Sequence, residues 1–397
     1  MSLVRLQVEN VRNVERLDLQ LGGEANLIVG PNGSGKTTLL ETIHLLSLGR
    51  SFRSGRAGGL IRYGSPSLTV FGVVRTDGFQ HSVGFSRGRD GTREFRVNGE
   101  TQRRVSEVAR LLPVQVLCPR TVDLIQEGPD LRRRFLNWGV FHVKPAFQSV
   151  WTAAERSLRH RNLLLRQDRA VDPSEFASWE RQLAEHSVAL DGMRRSYLEQ
   201  FEPVLARVLL ELEFGAEVSL EYLRGWAAPS SDGDRESQRS TSEPENEGAG
   251  GPLREPDEQP SEGAQALEAL LAESRGADLQ RGFSTMGYHR AELRVRADQH
   301  PAADFLSRGQ MKLLAWAMTI AQGHVLREAA GRSAVYLADD MSAELDGDNT
   351  RRVCGLLAAA DVQCIATGLR DTDWSNAWPG GSIRTFRIDS GKVSVAD

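Results

Sequence analysis

The sequence predicts an α/β fold: a mixed sheet around a central helix, an antiparallel β subdomain beside it, and an α-helical domain inserted between two halves of the sheet. Three observations predict it. A short apolar strand, a glycine-rich turn and a strong helix follow one another over Ala25–Leu48. The apolar period then changes from two to that of a helix near Pro129. Buried-strand patterns return after Ala334 and close the chain. Sheet, helices and sheet again describe one domain with an insertion.

The elements follow in order. "LVRLQV" and "RLDLQL" alternate as half-buried strands, and "ANLIVG" reads as a buried one. "KTTLLETIHLLSL" is a helix. "LTVFGVVRT", "HSVGF" and "REFRVNGE" suggest an antiparallel sheet with a hairpin turn at Asn98-Gly99. "PDLRRRFLNWGVF", "AFQSVWTAAERSLRHRNLLLRQ" and the long stretch Glu175–Phe214 make amphipathic helices without a sustained heptad. Ala227–Gly263, rich in Ser, Pro, Gly and Glu, cannot bury enough apolar surface to order itself and is expected to be a disordered insertion. "AVYLADDMSAELD", "VQCIATG", "IRTFRID" and "KVSVAD" supply the last strands. The expected domains are 1–125, a helical domain 126–295 carrying the insertion 227–263, and 296–397.

With 397 residues, 40% hydrophobic and 26% charged, the chain has the composition of a soluble globular protein. It lacks a run of about 18 apolar residues, and "MSLVRLQVEN" lacks the apolar block of a signal peptide. A cytoplasmic protein without a membrane span is expected. Cys118, Cys354 and Cys364 form no paired motif, so reduced structural thiols are expected. His44, His142 and His289 lack metal-ligand spacing and read as structural. Asp232–Glu262 holds ten acids and three bases, a net of −7, leaving +3 for the rest of a chain whose total is −4. Mild positive charge permits nucleic-acid binding without demonstrating it.

The chemistry concentrates in three places. "GPNGSGKT" at Gly30–Thr37 fits the phosphate loop G-x-x-x-x-G-K-[ST], between a strand and a helix. Gly30, Pro31, Asn32, Gly33, Ser34, Gly35, Lys36, Thr37 and Thr38 are the expected phosphate-binding set. Glycines let backbone N–H groups close on phosphate oxygens, the helix N-terminus adds donors and a positive dipole end, and Lys36 brings a full charge. Thr37 offers a hydroxyl to Mg²⁺. "AVYLADD" delivers Asp339 and Asp340 to a strand end; Asp339 is the expected second metal contact, and Asp340 stands in the general-base position beside Lys36 as a catalytic residue. The alternative is that the acid pair caps the next helix. Finally, "LSRGQ" places Ser307, Arg308, Gly309 and Gln310 at the front of a second helix. Because the first helix already occupies one side of the phosphates, this second N-terminus is expected to reach the nucleotide of a second copy, so that two chains related by C₂ symmetry bury two ATPs. Asp346 is placed to help across that interface.

The phosphate loop, "LSRGQ" and Asp-Asp in this order are similar to the ABC-type ATPases of the SMC class. "GPNGSGKTTLLETIHLLSLGRSFR", "EGPDLRRRFLNW", "RHRNLLL", "GYHRAEL" and "LSRGQMKLLAWAMTIAQG" are closer still to the RecF family of bacterial recombination mediators, over nearly the whole chain except Ala227–Gly263. Departures are Thr38 where Asn is common, Tyr288 where Pro is usual, and Arg308 within the signature. The resemblance implies an ABC-type P-loop ATPase head with an inserted α-helical lid domain, with ATP and Mg²⁺ as cofactors. It implies an ATP-driven homodimeric clamp on DNA at duplex beside single-stranded gaps, reset by slow, weak ATP hydrolysis. Work with RecO and RecR in recombinase loading, replication restart and the SOS response also follow from it. Candidate DNA contacts are Arg132, Arg133, Arg134, Arg156, Arg159 and Arg161, which read equally well as a solvated arginine face; Arg53 in "GRSFR" is a candidate regulatory arginine at the phosphates. Against an ABC transporter subunit stand Arg120 after Pro119, where glutamine is expected, and the lack of a histidine after "CIATG". An SMC-like structural head would need coiled-coil arms, and the tail after Asp346 is too short for a nuclease domain.

Overall fold

The computed structural model describes residues 1–53, 59–167, 172–226, 261–370, 374, 377–380 and 383–395. Along the chain lie β1 (Ser2–Val11), β2 (Val14–Gln20), β3 (Ala25–Val29), α1 (Lys36–Leu48), β4 (Ser67–Thr76), β5 (Phe79–Gly88), β6 (Arg93–Val97) and β7 (Glu100–Gln102). Then come α2 (Val105–Leu111), β8 (Val114–Leu117), α3 (Asp123–Gln126), α4 (Pro129–Val143), α5 (Phe147–Leu165), α6 (Pro173–Glu211), β9 (Val218–Leu223) and α7 (Glu262–Arg281). The last part holds β10 (Glu292–Ala297), β11 (His300–Pro301), α8 (Ala302–Phe305), α9 (Arg308–Ala330), β12 (Val335–Ala338), α10 (Met341–Glu344), α11 (Gly347–Ala359), β13 (Cys364–Gly368), β14 (Ile383–Asp389) and β15 (Lys392–Val395).

Two compact units emerge: Met1–Pro145 with Tyr197–Glu221 and Val295–Asp397, and Ala146–Ser196 with Tyr222–Arg294. The second unit closes at Arg294, within one residue of the expected 295, but it opens at Ala146 instead of 126, and Tyr197–Glu221 returns to the first unit. The first unit keeps α4 because the Gln322 side chain of α9 donates to the Phe135 carbonyl at 2.7 Å, and because a Cβ on Gly139 would come 2.1 Å from the Tyr197 ring. The amphipathic pattern of α4 is real, but the face it buries belongs to the sheet unit.

In the first unit one sheet is antiparallel, in the order β2-β1-β4-β5-β6-β7. Its β6–β7 hairpin turns at Asn98 and Gly99, whose φ values of 52° and 86° are those of a type I′ turn. The other sheet runs β15-β14-β3-β13-β12-β8, parallel except for β15 at its edge. Strands β3, β12 and β13 are buried throughout, which is why each reads as a largely apolar run, with Asn26 and Thr367 as buried polar exceptions. Between the sheets lies α1: Leu39, Leu40, Ile43 and Leu46 share one core with Leu3, Val74 and Phe85 of the first sheet and Ile28, Leu337, Ile365 and Phe386 of the second. The parallel strands thereby send β3, β12 and β13 to the same sheet edge, where ligands collect in α/β folds.

The second unit contains α5, the first part of α6, and α7. Arg161 is fully buried, its guanidinium donating to Asp278 at 2.7 Å, Glu180 at 3.1 Å, the Ser284 hydroxyl at 2.8 Å and the Leu271 carbonyl at 2.9 Å. It is a structural cation, and this removes it from the candidate DNA contacts. Ser261 caps α7, its hydroxyl accepting from the Ala264 N–H at 3.3 Å, so the last residues of the expected disordered insertion, Ser261–Gly263, are ordered instead. Residues 227–260 of that insertion lie outside the described residues. Cys118, Cys354 and Cys364 are free and buried. Among the described residues no helix is long and apolar enough to cross a membrane. Sequence reading missed α2, β8, β9 and α11; the first three carry short patterns, whereas α11 buries Thr350, Val353, Cys354 and Leu357 at helical spacing behind its Asp346 cap and was legible in the sequence.

Replacing Arg161 by Met leaves Asp278 in a dry site without its cation. The expected loss is about 3–5 kcal/mol of stability, read from urea denaturation, whereas Arg156→Met on the exposed side of α5 is expected to cost less than about 1 kcal/mol.

Candidate functional site

The turn from β3 into α1 is held from behind. Asn13, in the β1–β2 turn, donates its amide to the carbonyls of Ser34 at 3.1 Å and Gly33 at 3.3 Å, and accepts from the Thr38 hydroxyl at 3.4 Å. The Gly391 N–H, in the β14–β15 turn, donates to the Ser34 carbonyl at 2.9 Å. These donors occupy the Gly33 and Ser34 carbonyls, which would otherwise repel an anion at the loop. Gly33 and Gly35 take φ values of 80° and 116°, which L side chains rarely adopt. At Gly30 a Cβ would come 2.2 Å from the Ile388 carbonyl, so glycine there answers to close packing of β14.

Lys36 is the first residue of α1; its ammonium donates to the carbonyls of Gly30 at 2.7 Å and Pro31 at 3.1 Å. Burial holds it below the usual lysine value, against the opposite pull of Asp340 and Asp339. From β12, Asp339 accepts at one carboxylate oxygen from the hydroxyls of Thr37 and Thr367, both at 2.9 Å. The Thr367 hydroxyl in turn accepts the Asp340 N–H at 2.9 Å. Asp340 sits at φ 53° and makes no side-chain cap to α10. That disposes of the capping alternative for Asp340, which faces the cavity instead.

These groups surround a cavity of about 300 Å³, lined by Asn13, Asn32, Gly33, Gly35, Lys36, Thr37, Thr38, Arg53, Pro119, Asp339, Asp340 and Thr367. Sequence reading assembled most of this lining, Arg53 included. It missed Asn13, Pro119 and Thr367; the last stands at the end of an apolar strand beside the acidic one, a signal that could have found it. Ser307, Arg308, Gly309 and Gln310 do not line the cavity. They stand exposed at the start of α9, where Ser307 and Gln310 form a reciprocal capping box, the Ser307 N–H donating to the Gln310 side chain at 2.9 Å and the Gln310 N–H to the Ser307 hydroxyl at 3.3 Å. Asp346 caps α11 by accepting from the Asn349 N–H at 2.8 Å.

The Thr37 and Asp339 oxygens fit a hard divalent cation. They are 2.9 Å apart, the separation of two neighbouring ligands at about 2.0–2.1 Å in an octahedron. Among the described residues no group of three His, Cys, Asp or Glu side chains gathers, and a site completed by water and phosphate oxygens is the habit of Mg²⁺. The histidines serve the fold: burial pushes His44 down to about 4 and His142 to about 3, with Arg332 and Arg110 adding to the second. His289 bonds the Ser284 carbonyl at 3.1 Å.

Comparison with known proteins agrees with this geometry. Residues 2–391 match the model of the RecF/RecN/SMC N-terminal domain. The DNA replication and repair protein RecF of Pseudomonas paraeruginosa is 37% identical over 99% of this chain and 98% of its own. The chain belongs to the RecF family. Two solved RecF structures share its fold, that of an SMC and ABC-type ATPase head: the recombination mediator RecF-ATP, with TM-score 0.82 and 23% identity over 100% of this chain and 97% of that one, and RecF-ATPrS, with TM-score 0.80 and 24% identity over 100% and 98%.

Gly30→Ala is expected to lower stability by about 1–3 kcal/mol because the new Cβ meets the Ile388 carbonyl, whereas alanine at Gly23, where a Cβ would meet nothing within 4 Å, is expected to change it little; urea midpoints compare the two.

Proposed function

We propose that this chain is an ATP-operated protein of recombinational repair and replication restart, which closes as a homodimer on DNA and reopens after slow hydrolysis. The observation that carries the reading is the separation of two phosphate-directed helix starts. The α1 start lines the cavity with Lys36 and the acid pair, while the α9 start is exposed and takes no part in it. Gly309 strengthens the case. It stands in the first turn of α9, where a Cβ would meet nothing within 4 Å, yet helical glycine costs roughly 0.5–1 kcal/mol relative to alanine. A bare backbone there suits close approach by something outside the chain.

In this reading the loop N–H groups and Lys36 hold the ATP phosphates, and Thr37 and Asp339 hold Mg²⁺. When bound, the cation supplies charge neutralisation across the β- and γ-phosphates. Asp340 orients the attacking water and accepts its proton. Its carboxylate stands on a backbone fixed through Thr367, so the base is aimed before substrate arrives. Ser307, Arg308, Gly309 and Gln310 of a second copy close the site from across the symmetry axis, with Asp346 beside them. Two sites then form with one interface, and hydrolysis removes the phosphate that joins the copies.

The DNA in this reading is duplex beside a single-stranded gap, and the partners are RecR and RecO, through which the clamp promotes recombinase loading and SOS induction. Family membership supports these assignments. Of the candidate DNA contacts, Arg134, Arg156 and Arg159 are exposed, whereas the Arg133 guanidinium pairs with Asp130 and Arg132 donates to the Leu124 and Glu127 carbonyls.

Lys36→Ala is expected to weaken ATP binding by roughly 100-fold or more, as loss of a charge-assisted contact implies; wild-type affinity by calorimetry would refute the assignment of the loop. Ser307→Arg is expected to leave ATP binding intact and to abolish ATP-induced dimers, with and without gapped duplex. Dimers surviving in sedimentation would sink the two-copy site.

A further inference from the structure

We infer that Glu41 is a positioning residue that sets both rims of the nucleotide cavity through one buried carboxylate, with Ser51 as its link to Arg53. The inference rests on the nucleotide-binding reading above and assigns residues that the phosphate-loop motif does not contain.

Glu41 lies on α1 and is fully buried. Its two oxygens face different segments. Arg12 grips both of them, Nε on one oxygen at 2.5 Å and Nη2 on the other at 2.8 Å. The Ser51 hydroxyl donates to the second oxygen as well. Arg12 is half-buried and takes φ 51°, an unfavourable backbone for a residue with a Cβ, so its ion pair holds a strained turn. The next residue in that turn is Asn13, whose amide ties back the Gly33 and Ser34 carbonyls and which itself lines the cavity. One oxygen pair therefore anchors the turn that shapes the phosphate loop.

The other rim is the segment after α1. The Ser51 hydroxyl accepts the Arg53 N–H at 2.9 Å, and the Arg53 carbonyl accepts from the Arg120 guanidinium at 2.7 Å. Arg53 is thus held at both of its amide ends while its side chain lines the cavity. An arginine fixed at its backbone loses less entropy on meeting a phosphate than one on a free loop. The Ser51 hydroxyl joins the Arg53 backbone to Glu41, and its removal leaves both Arg12 contacts with the carboxylate in place.

That last point supplies the test, by calorimetric ATP titration of full-length variants. Arg53→Ala is expected to weaken ATP binding roughly 10–100-fold, the range for one charge-assisted hydrogen bond. Ser51→Ala is expected to weaken it about tenfold with little change in melting temperature, Ser51→Thr to restore it, and Ser51→Ala to add nothing once Arg53 is alanine. Additive losses, or Ser51→Ala binding ATP like wild type, would overturn the inference. Lys36→Ala run alongside separates the two failures, because retained ATP binding there refutes the nucleotide site itself. Glu41→Gln tests the other rim: weakened binding that persists in the Arg53→Ala background is expected through Asn13, and loss of that residual effect in a folded variant would confine Glu41 to the Arg53 rim and refute the two-rim role.

Discussion

The site depends on one constraint: the carbonyls of the glycine-rich loop must be occupied by donors, so that they do not repel a bound phosphate. Lys36 takes the Gly30 and Pro31 carbonyls from within the motif, while Asn13 and the Gly391 N–H take those of Gly33 and Ser34. Neither Asn13 nor Gly391 belongs to the loop motif. Asn13 comes from the first hairpin and Gly391 from the last, so the two ends of the chain meet behind a turn that starts at residue 30. The antiparallel sheet and the parallel sheet are both needed to build it, with α1 packed between them as the shared core.

Charge is arranged around the same turn with little left unpaired at depth. Lys36 is partly desolvated, which burial alone makes costly, and the neighbouring acid pair pulls the other way. Asp339 accepts two hydroxyl hydrogen bonds on one oxygen, a satisfied arrangement that also matches the spacing of a hard cation's ligands. Asp340 stays at a left-handed backbone position without capping the following helix. Two adjacent aspartates on one strand end thus acquire different surroundings, and different surroundings are what give like carboxylates unlike roles.

The helical unit answers to another requirement. Its arginines look alike in the sequence, but Arg161 lies at the centre of a buried network with Glu180 and Asp278, while the exposed Arg156 lies over the ring of half-buried Trp179. A buried guanidinium with several hydrogen-bonded partners specifies how α5, α6 and α7 meet; a surface one leaves that choice to apolar packing. Arginine count alone therefore does not separate core residues from surface ones.

The sequence by itself determined the phosphate loop, the strand that carries the acid pair and the exposed cap of α9, because each is a local pattern whose backbone geometry follows from nearby residues. Gly33 and Gly35 take the positive φ their positions require, and Ser307 with Gln310 forms the reciprocal cap that their spacing allows. Only the tertiary structure decided that α4 belongs with the sheet unit, that α7 begins at Glu262, that Arg161 is a core residue, and that Asn13, Pro119 and Thr367 share a cavity with Lys36. Those outcomes depend on which surfaces meet across hundreds of residues. Hydrophobic period records that a face is buried, but not what it is buried against.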